Sequence, residues 1–169
     1  TFTVNGVAVP LSAGAFTTTV AVALGANPII AEATDAAGNT GSAAITALRG
    51  EAPAVAITAP VTGLLTNQTP ITVSGTVAGT EPLAVTVNGV AAAVSGGSWT
   101  ASVPLIEGGH TLTASAANSF GSASAAVSVT LDTAPPVVAI TAPADGTLTA
   151  AGSIGVTGTV SDTTSGLAG

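Results

Sequence analysis

Three features of the sequence predict an all-β chain built from two-sheet sandwiches in series. Short stretches alternate small apolar residues with Thr and Ser, Gly, Pro and Asn punctuate them, and whole phrases recur at one fixed spacing. Composition agrees: 47% of residues are hydrophobic, but only 2% are aromatic and 5% charged, with 21 Gly and 10 Pro. Ala and Val must therefore fill most of any core. Disorder is disfavoured, because it requires low hydrophobicity and high charge.

The fullest run of strands lies between Pro53 and Asp132. AVAIT (Ala54–Thr58) is closed by Ala59-Pro60. ITVSGTV (Ile71–Val77) places Ile, Val, Gly and Val on one face and Thr, Ser and Thr on the other. LAVTV (Leu83–Val87) runs into Asn88-Gly89, the strongest two-residue hairpin signal, because both residues tolerate positive φ. VAAAVS (Val90–Ser95) returns from that turn. SWTASVPL (Ser98–Leu105), HTLTASAAN (His110–Asn118) and SASAAVSVTL (Ser122–Leu131) complete the set. Seven short alternating strands in this span predict an antiparallel β-sandwich of the immunoglobulin type. It lacks the antibody hallmarks: there is no Cys pair, and the single Trp, Trp99, sits in the fifth strand rather than the third. A parallel β-helix would need short repeats and near-continuous apolar strands, which this chain lacks.

The recurrence sets the organisation. TVNGVA occurs at Thr3–Ala8 and Thr86–Ala91, 83 positions apart. PAVAITAP (Pro53–Pro60) returns as PVVAITAP (Pro136–Pro143), and ITVSGTV (Ile71–Val77) as IGVTGTV (Ile154–Val160), at the same spacing of 83. Read without a gap, this offset lays Phe16 on Trp99, Val20 on Val103, Gly38 on Gly121 and Leu48 on Leu131. A period of about 83 residues exceeds the solenoid range and matches a whole small domain. The expected fold class is thus tandem immunoglobulin-like antiparallel β-sandwich domains. Residues 1–50 supply the later strands of one unit, 51–133 a complete unit, and 134–169 the first strands of the next. The path from Val160 through Gly169 to a following Val4 is three residues longer than that from Val77 to Val87, a difference a loop absorbs. The chain therefore reads as an excerpt of a longer array, or as subunits completing one another head to tail. The excerpt is preferred because domains need a closed core. The opening TFTVNGVAVP carries no basic stretch before an apolar core, so no signal peptide is expected within it.

These residues resemble a family. The stretch Val4–Ala47, with ATDAAGNTG at Ala33–Gly41 and the linker LDTAPPVVAITAP at Leu131–Pro143, is similar to bacterial Ig-like tandem repeats of large surface and adhesin-type proteins. The resemblance implies an extracellular or cell-surface location, neighbouring Ig-like repeats as partners, and a non-catalytic structural role. Similar modules also accompany secreted polysaccharide-active enzymes. Some relatives bind calcium through Asp residues near domain junctions. By position Asp132 and Asp162 match, with Asp35 in the DAAGN turn, and these three are the candidate calcium ligands. The acids do not cluster as a hard cation requires, and Asp35 becomes Asn118 in the next copy. No other cofactor is expected.

Charge and single residues narrow the function further. One base, Arg49, against eight acids gives a net charge of −7, which argues against nucleic acid and anionic membrane surfaces. No apolar run reaches the length of a membrane span. His110 has no nucleophile elbow or orienting carboxylate in its sequence context and reads as an exposed turn residue. The eight acids stand singly rather than as a glycosidase pair. No catalytic residue is expected. Trp99 and Phe16 are expected to be core plugs, one per sandwich, and Phe2 and Phe120, which lack aromatic partners at the repeat spacing, interface or junction contacts. The expected function is a structural repeat of an extracellular filament, stalk or adhesin shaft. The alternative is a carbohydrate-binding or spacer module of a secreted polysaccharide-active enzyme.

Overall fold

The computed structural model describes residues 1–167, so the last two positions of the 134–169 segment lie outside the described residues. In chain order the strands are β1 (Phe2–Val4), β2 (Val7–Ala8), β3 (Gly25–Thr34) and β4 (Thr40–Arg49), followed by β5 (Ala54–Ala59), β6 (Leu64–Thr66) and β7 (Ile71–Ala78). Then come β8 (Ala84–Val87), β9 (Val90–Ala91), β10 (Ala93–Ser95), β11 (Ser98–Val103), β12 (Gly108–Asn118) and β13 (Gly121–Leu131), and finally β14 (Val137–Ala142) and β15 (Thr157–Ser161).

Strands β5–β13 form a closed sandwich. One sheet has the order β10-β11-β7-β5 and the other β6-β13-β12-β8-β9. The alternation read from the sequence determines which side chains face inward. In β11, Trp99, Ala101 and Val103 are buried while Ser98, Thr100 and Ser102 are exposed. In β7, Val73, Gly75 and Val77 are buried. They meet Val85, Val87, Leu112, Ala114 and Val129 from the facing sheet in one continuous core. Burying such side chains contributes roughly 1.5–3 kcal/mol each for the larger ones. Trp99 is the largest of them, 1% exposed, and its indole Nε1 donates to the Thr76 carbonyl at 3.1 Å. A β-carbon at Gly75 would lie 2.5 Å from the Trp99 ring, so the glycine makes room for the indole.

Two elements differ from the sequence reading. Leu64–Thr66 forms a parallel strand beside Val129–Leu131, too short to produce an alternation signal. The stretch Val90–Ser95 is two strands rather than one. Val90–Ala91 pairs with β8 in one sheet, and Ala93–Ser95 with β11 in the other, so the chain changes sheets at Ala92. The Asn88-Gly89 turn has φ of 47° and 84°, as the hairpin requires.

The outer parts are single layers. Strands β1–β4 make one sheet of order β2-β1-β3-β4, and β14–β15 make a two-stranded hairpin. Their registers repeat those of the closed sandwich. Val138 pairs with Val160 and Ile140 with Gly158, as Val55 pairs with Val77 and Ile57 with Gly75, and both hairpins carry an irregularity in the same place. Phe2 pairs with Ala33 and Val4 with Ala31, as Val85 pairs with Ala116 and Val87 with Ala114.

The gapless offset fails in one strand. Ile45 pairs with Ile29, whereas Val127 pairs with Leu112, so β4 is aligned with β13 at 82 rather than 83 positions. The cause is the turn. β3 and β4 are joined by residues 35–39, with Asp35 N–H bonded to the Asn39 carbonyl at 3.0 Å, whereas only residues 119–120 join β12 and β13. Leu48 therefore corresponds to the outward Thr130, not to Leu131.

Candidate functional site

The side chains that do something beyond filling the core gather at the two ends of the closed sandwich. At the upstream end the linker enters beside the β12–β13 turn. Glu51 N–H donates to Thr80 Oγ1 at 2.7 Å, and Asn118 Nδ2 donates to the carbonyls of Glu51 and Thr80, each at 2.8 Å. Phe120 covers Gly50 so closely that a β-carbon there would overlap its ring. Phe120 is thus the junction contact expected from its sequence context. Phe2 is not a lone junction residue: its ring lies 4.5 Å from that of Phe16, tilted by 50°.

The downstream end is built in a similar way. Asp132 N–H donates to the Thr66 carbonyl at 2.9 Å. Glu107 accepts from the N–H and hydroxyl of Thr133. Ser165 N–H, from the loop after β15, donates to Asp132 Oδ2 at 2.8 Å, and Ala134 N–H to Oδ1 at 3.1 Å. These bonds, those from Ser165 foremost, hold the Asp132 carboxyl below its ordinary value of 3.8, against a desolvation that raises it.

The three candidate calcium ligands are only partly brought together. Asp132 and Asp162 meet at this junction, where Ser165 N–H lies within 3.0 Å of an oxygen of each. Asp162 Oδ1 also accepts from Thr164 and Gly166 N–H. Asp35 lies in the β3–β4 turn. Its carboxylate accepts from Ala37 N–H, Asn39 N–H and Asn39 Nδ2, and the Asn39 side chain is the main reason its carboxyl titrates below 3.8. All three carboxylates therefore act as acceptors that close loops. Among the described residues no three His, Cys, Asp or Glu side chains are grouped to hold a metal ion.

His110 is half-buried within β12 rather than exposed in a turn, and its Nε2 lies 2.6 Å from the Ile106 carbonyl. Asn27 occupies the matching place in β3, where Nδ2 donates to the Ala23 carbonyl at 2.8 Å. The two side chains do one job, bridging the loop before the strand to the residue four positions back. Arg49, the single base, donates from Nη1 to the Val22 carbonyl at 3.1 Å.

Phe16 departs from its expected role. It is 49% exposed, where Trp99 is buried, and Phe16–Val20 forms no strand. In the closed sandwich β11 is held by β7 along its whole length. Among the described residues no strand stands in that place beside Phe16. The sequence carried the signal, since Phe16 matches Trp99, but not the covering strand.

The topology defines an immunoglobulin-like β-sandwich module, all β and without helix among the described residues. Comparison places this module among known ones. Residues 53–133 match the family model described as glucodextranase, domain B. No curated protein matches the chain. Among solved structures it is similar to the titin domains Z1Z2 in complex with telethonin, at 13% identity and a TM-score of 0.36, covering 63% of this chain and 61% of that one. A chimeric titin Z1Z2 carrying an exogenous decorin peptide matches at the same identity and TM-score, over 63% and 62%. The chain thus spans less than two thirds of the length of the structures it matches.

Proposed function

We propose that this chain is a non-catalytic spacer of a secreted polysaccharide-active protein, with its sandwich modules arranged in tandem. The observation that carries the reading is the match of Pro53–Thr133 to a named domain of a glucodextranase, coincident with the closed sandwich. Burial of Trp99 favours a spacer over a sugar-binding surface. Stacking on a sugar ring needs an exposed aromatic face; in the closed sandwich this indole lies in the core and the Phe120 ring rests on Gly50, and outside it the half-exposed Phe16 ring packs on Phe2. Bonded linkers at both ends of the sandwich suit a part that sets distance and direction between neighbours. Extracellular placement follows from the polysaccharide-active context.

Affinity electrophoresis of the chain through gels containing soluble α-glucans tests the reading. Migration unchanged by the glucan is expected. Retardation that rises with glucan concentration would replace the spacer with a carbohydrate-binding module. The shaft of a surface filament or adhesin is the second reading, favoured by strand registers that recur 83 positions apart. Particles lengthening in fixed steps under the electron microscope would support it.

A further inference from the structure

The segment that leads into the closed sandwich, Gly50–Pro53, is seated in a socket built from two turns. Gly79, in the β7–β8 loop, comes so near that a β-carbon there would lie 3.0 Å from Pro53 Cα and 3.2 Å from the Ala52 carbonyl. Gly121, at the start of β13, would place a β-carbon 3.0 Å from that of Ala52. The Phe120 ring lies over Gly50. Pro53 is buried, although its neighbours Ala52 and Ala54 are exposed.

Polar bonds fasten the same segment. Glu51 N–H donates to Thr80 Oγ1, and the Glu51 carbonyl accepts from Thr80 N–H at 3.2 Å. Asn118 Nδ2 donates to the carbonyls of both residues. Its Oδ1 accepts from Phe120 N–H at 2.9 Å, which turns the amide so that the donor faces the linker.

The turn between β3 and β4 supplies the contrast. Asp35 stands 83 positions before Asn118 and makes the same first bond, its Oδ1 accepting from Ala37 N–H at 2.9 Å. Its second oxygen has no proton to donate and accepts from Asn39 Nδ2 at 2.8 Å. Ala37 stands where the other turn carries Phe120. One turn spends its side chain on itself. The other, by exchanging a carboxylate for an amide, spends it on a neighbouring segment.

We propose that the β12–β13 turn is a latch for the linker in front of it, with Asn118 as the catch and Phe120 as the cover. Its occupant is this chain's own Gly50–Pro53, an extended stretch that offers the Glu51 carbonyl to the amide and no side chain beneath the ring. While the latch is shut, the path from β4 to β5 is fixed and the Arg49–Gly50 bond is withheld from proteases, because local cutting requires local opening. The use of a fixed path, direction between neighbours, rests on the spacer reading. The latch itself rests on these contacts alone, so glucan retardation and protease resistance fail separately.

Arg49 is the only Lys or Arg in the chain, so trypsin has one bond to cut. A free peptide of residues 44–56 measures how fast that bond is cut without the latch. The full chain should be cut more slowly by about tenfold or more. Asn118→Asp keeps the size of the side chain and its bond to Phe120 N–H, but sets an acceptor against two carbonyls. It should bring the rate most of the way to that of the peptide. Phe120→Ala should raise it by a smaller factor. Ser119→Ala, an exposed position between them, should leave it unchanged. All rates are taken without denaturant, with Trp99 fluorescence reporting whether the sandwich is folded. The proposal is overturned if the unaltered chain is cut at the peptide's rate, or if Asn118→Asp and Phe120→Ala both leave cutting slow. It is equally overturned if Ser119→Ala quickens cutting as much, or if cutting quickens only where Trp99 reports an unfolded sandwich.

Discussion

Val73 and Val156 are the same residue at corresponding points of two hairpins, yet one is fully buried and the other 61% exposed. Leu112 and Ile29 make the same contrast on the facing sheet, the first buried and the second half-covered. The ladders that adjoin Val73 and Val156 keep one register, and those of Leu112 and Ile29 differ only by the one-residue shift of β4. Local sequence is therefore enough to make the ladders and aim the side chains. It is not enough to make a core, which needs the opposing sheet. Backbone pairing and apolar burial, inseparable in a finished domain, are separated along this one chain.

The largest way to break the contrast is to damage the finished sandwich. Trp99→Ala removes its largest buried side chain and should destabilise the Pro53–Thr133 unit by about 3–5 kcal/mol, read as a lowered midpoint in urea. Phe16→Ala, the matching change in the open layer, should leave that midpoint unmoved. A comparable loss at Phe16 would mean the outer layer is already closed in the isolated chain. Gly75→Val should rank next, at about 1–3 kcal/mol or more, because its side chain must displace the indole and the Ala56 carbonyl. Circular dichroism of the unfolding transition gives the value. Smaller is Asn118→Ala, which removes the side-chain amide that donates to the Glu51 and Thr80 carbonyls. Each lost bond is worth about 0.5–1.5 kcal/mol, and faster amide exchange should appear at Glu51 and Thr80 first.

The smallest effect is acid sensitivity. The carboxyls of Asp35 and Asp132 are held below 3.8 in the folded chain, so what they contribute is present above that value. It is lost as pH falls through their lowered folded values. Below pH about 3.8, amide exchange at Asn39 and Ser165 should quicken while the Trp99 core stays protected. Equal quickening in the core would show that acid acts on the sandwich as a whole.

How much of this was legible in the sequence follows from the same physics. The strands of the closed sandwich could be read because small apolar and hydroxyl residues alternate over long runs, as in β11 and β12. Leu64–Thr66 was missed because three residues carry no period. The sheet change at Ala92 left no mark because Ala suits either side. The one-residue shift of β4 hid inside a turn where DAAGN and NSFG look equivalent until the register is seen. Asp132 and Asp162 were singled out for their position near a junction, and the structure brings them to one. The loop N–H groups they accept could not be foreseen, because they depend on how the chain folds around Ser165. Phe16 falls on Trp99 at the 83-residue spacing, but burial belongs to a neighbour the residue itself does not specify.

Gly158 carries a consequence of its own. A β-carbon at this position would strike the Ala139 carbonyl, as one at Gly75 would strike that of Ala56. Any side chain placed at either glycine must therefore push apart the two strands of its own ladder before it meets anything else, so the demand for glycine is set by the neighbouring strand even where no core lies beneath it.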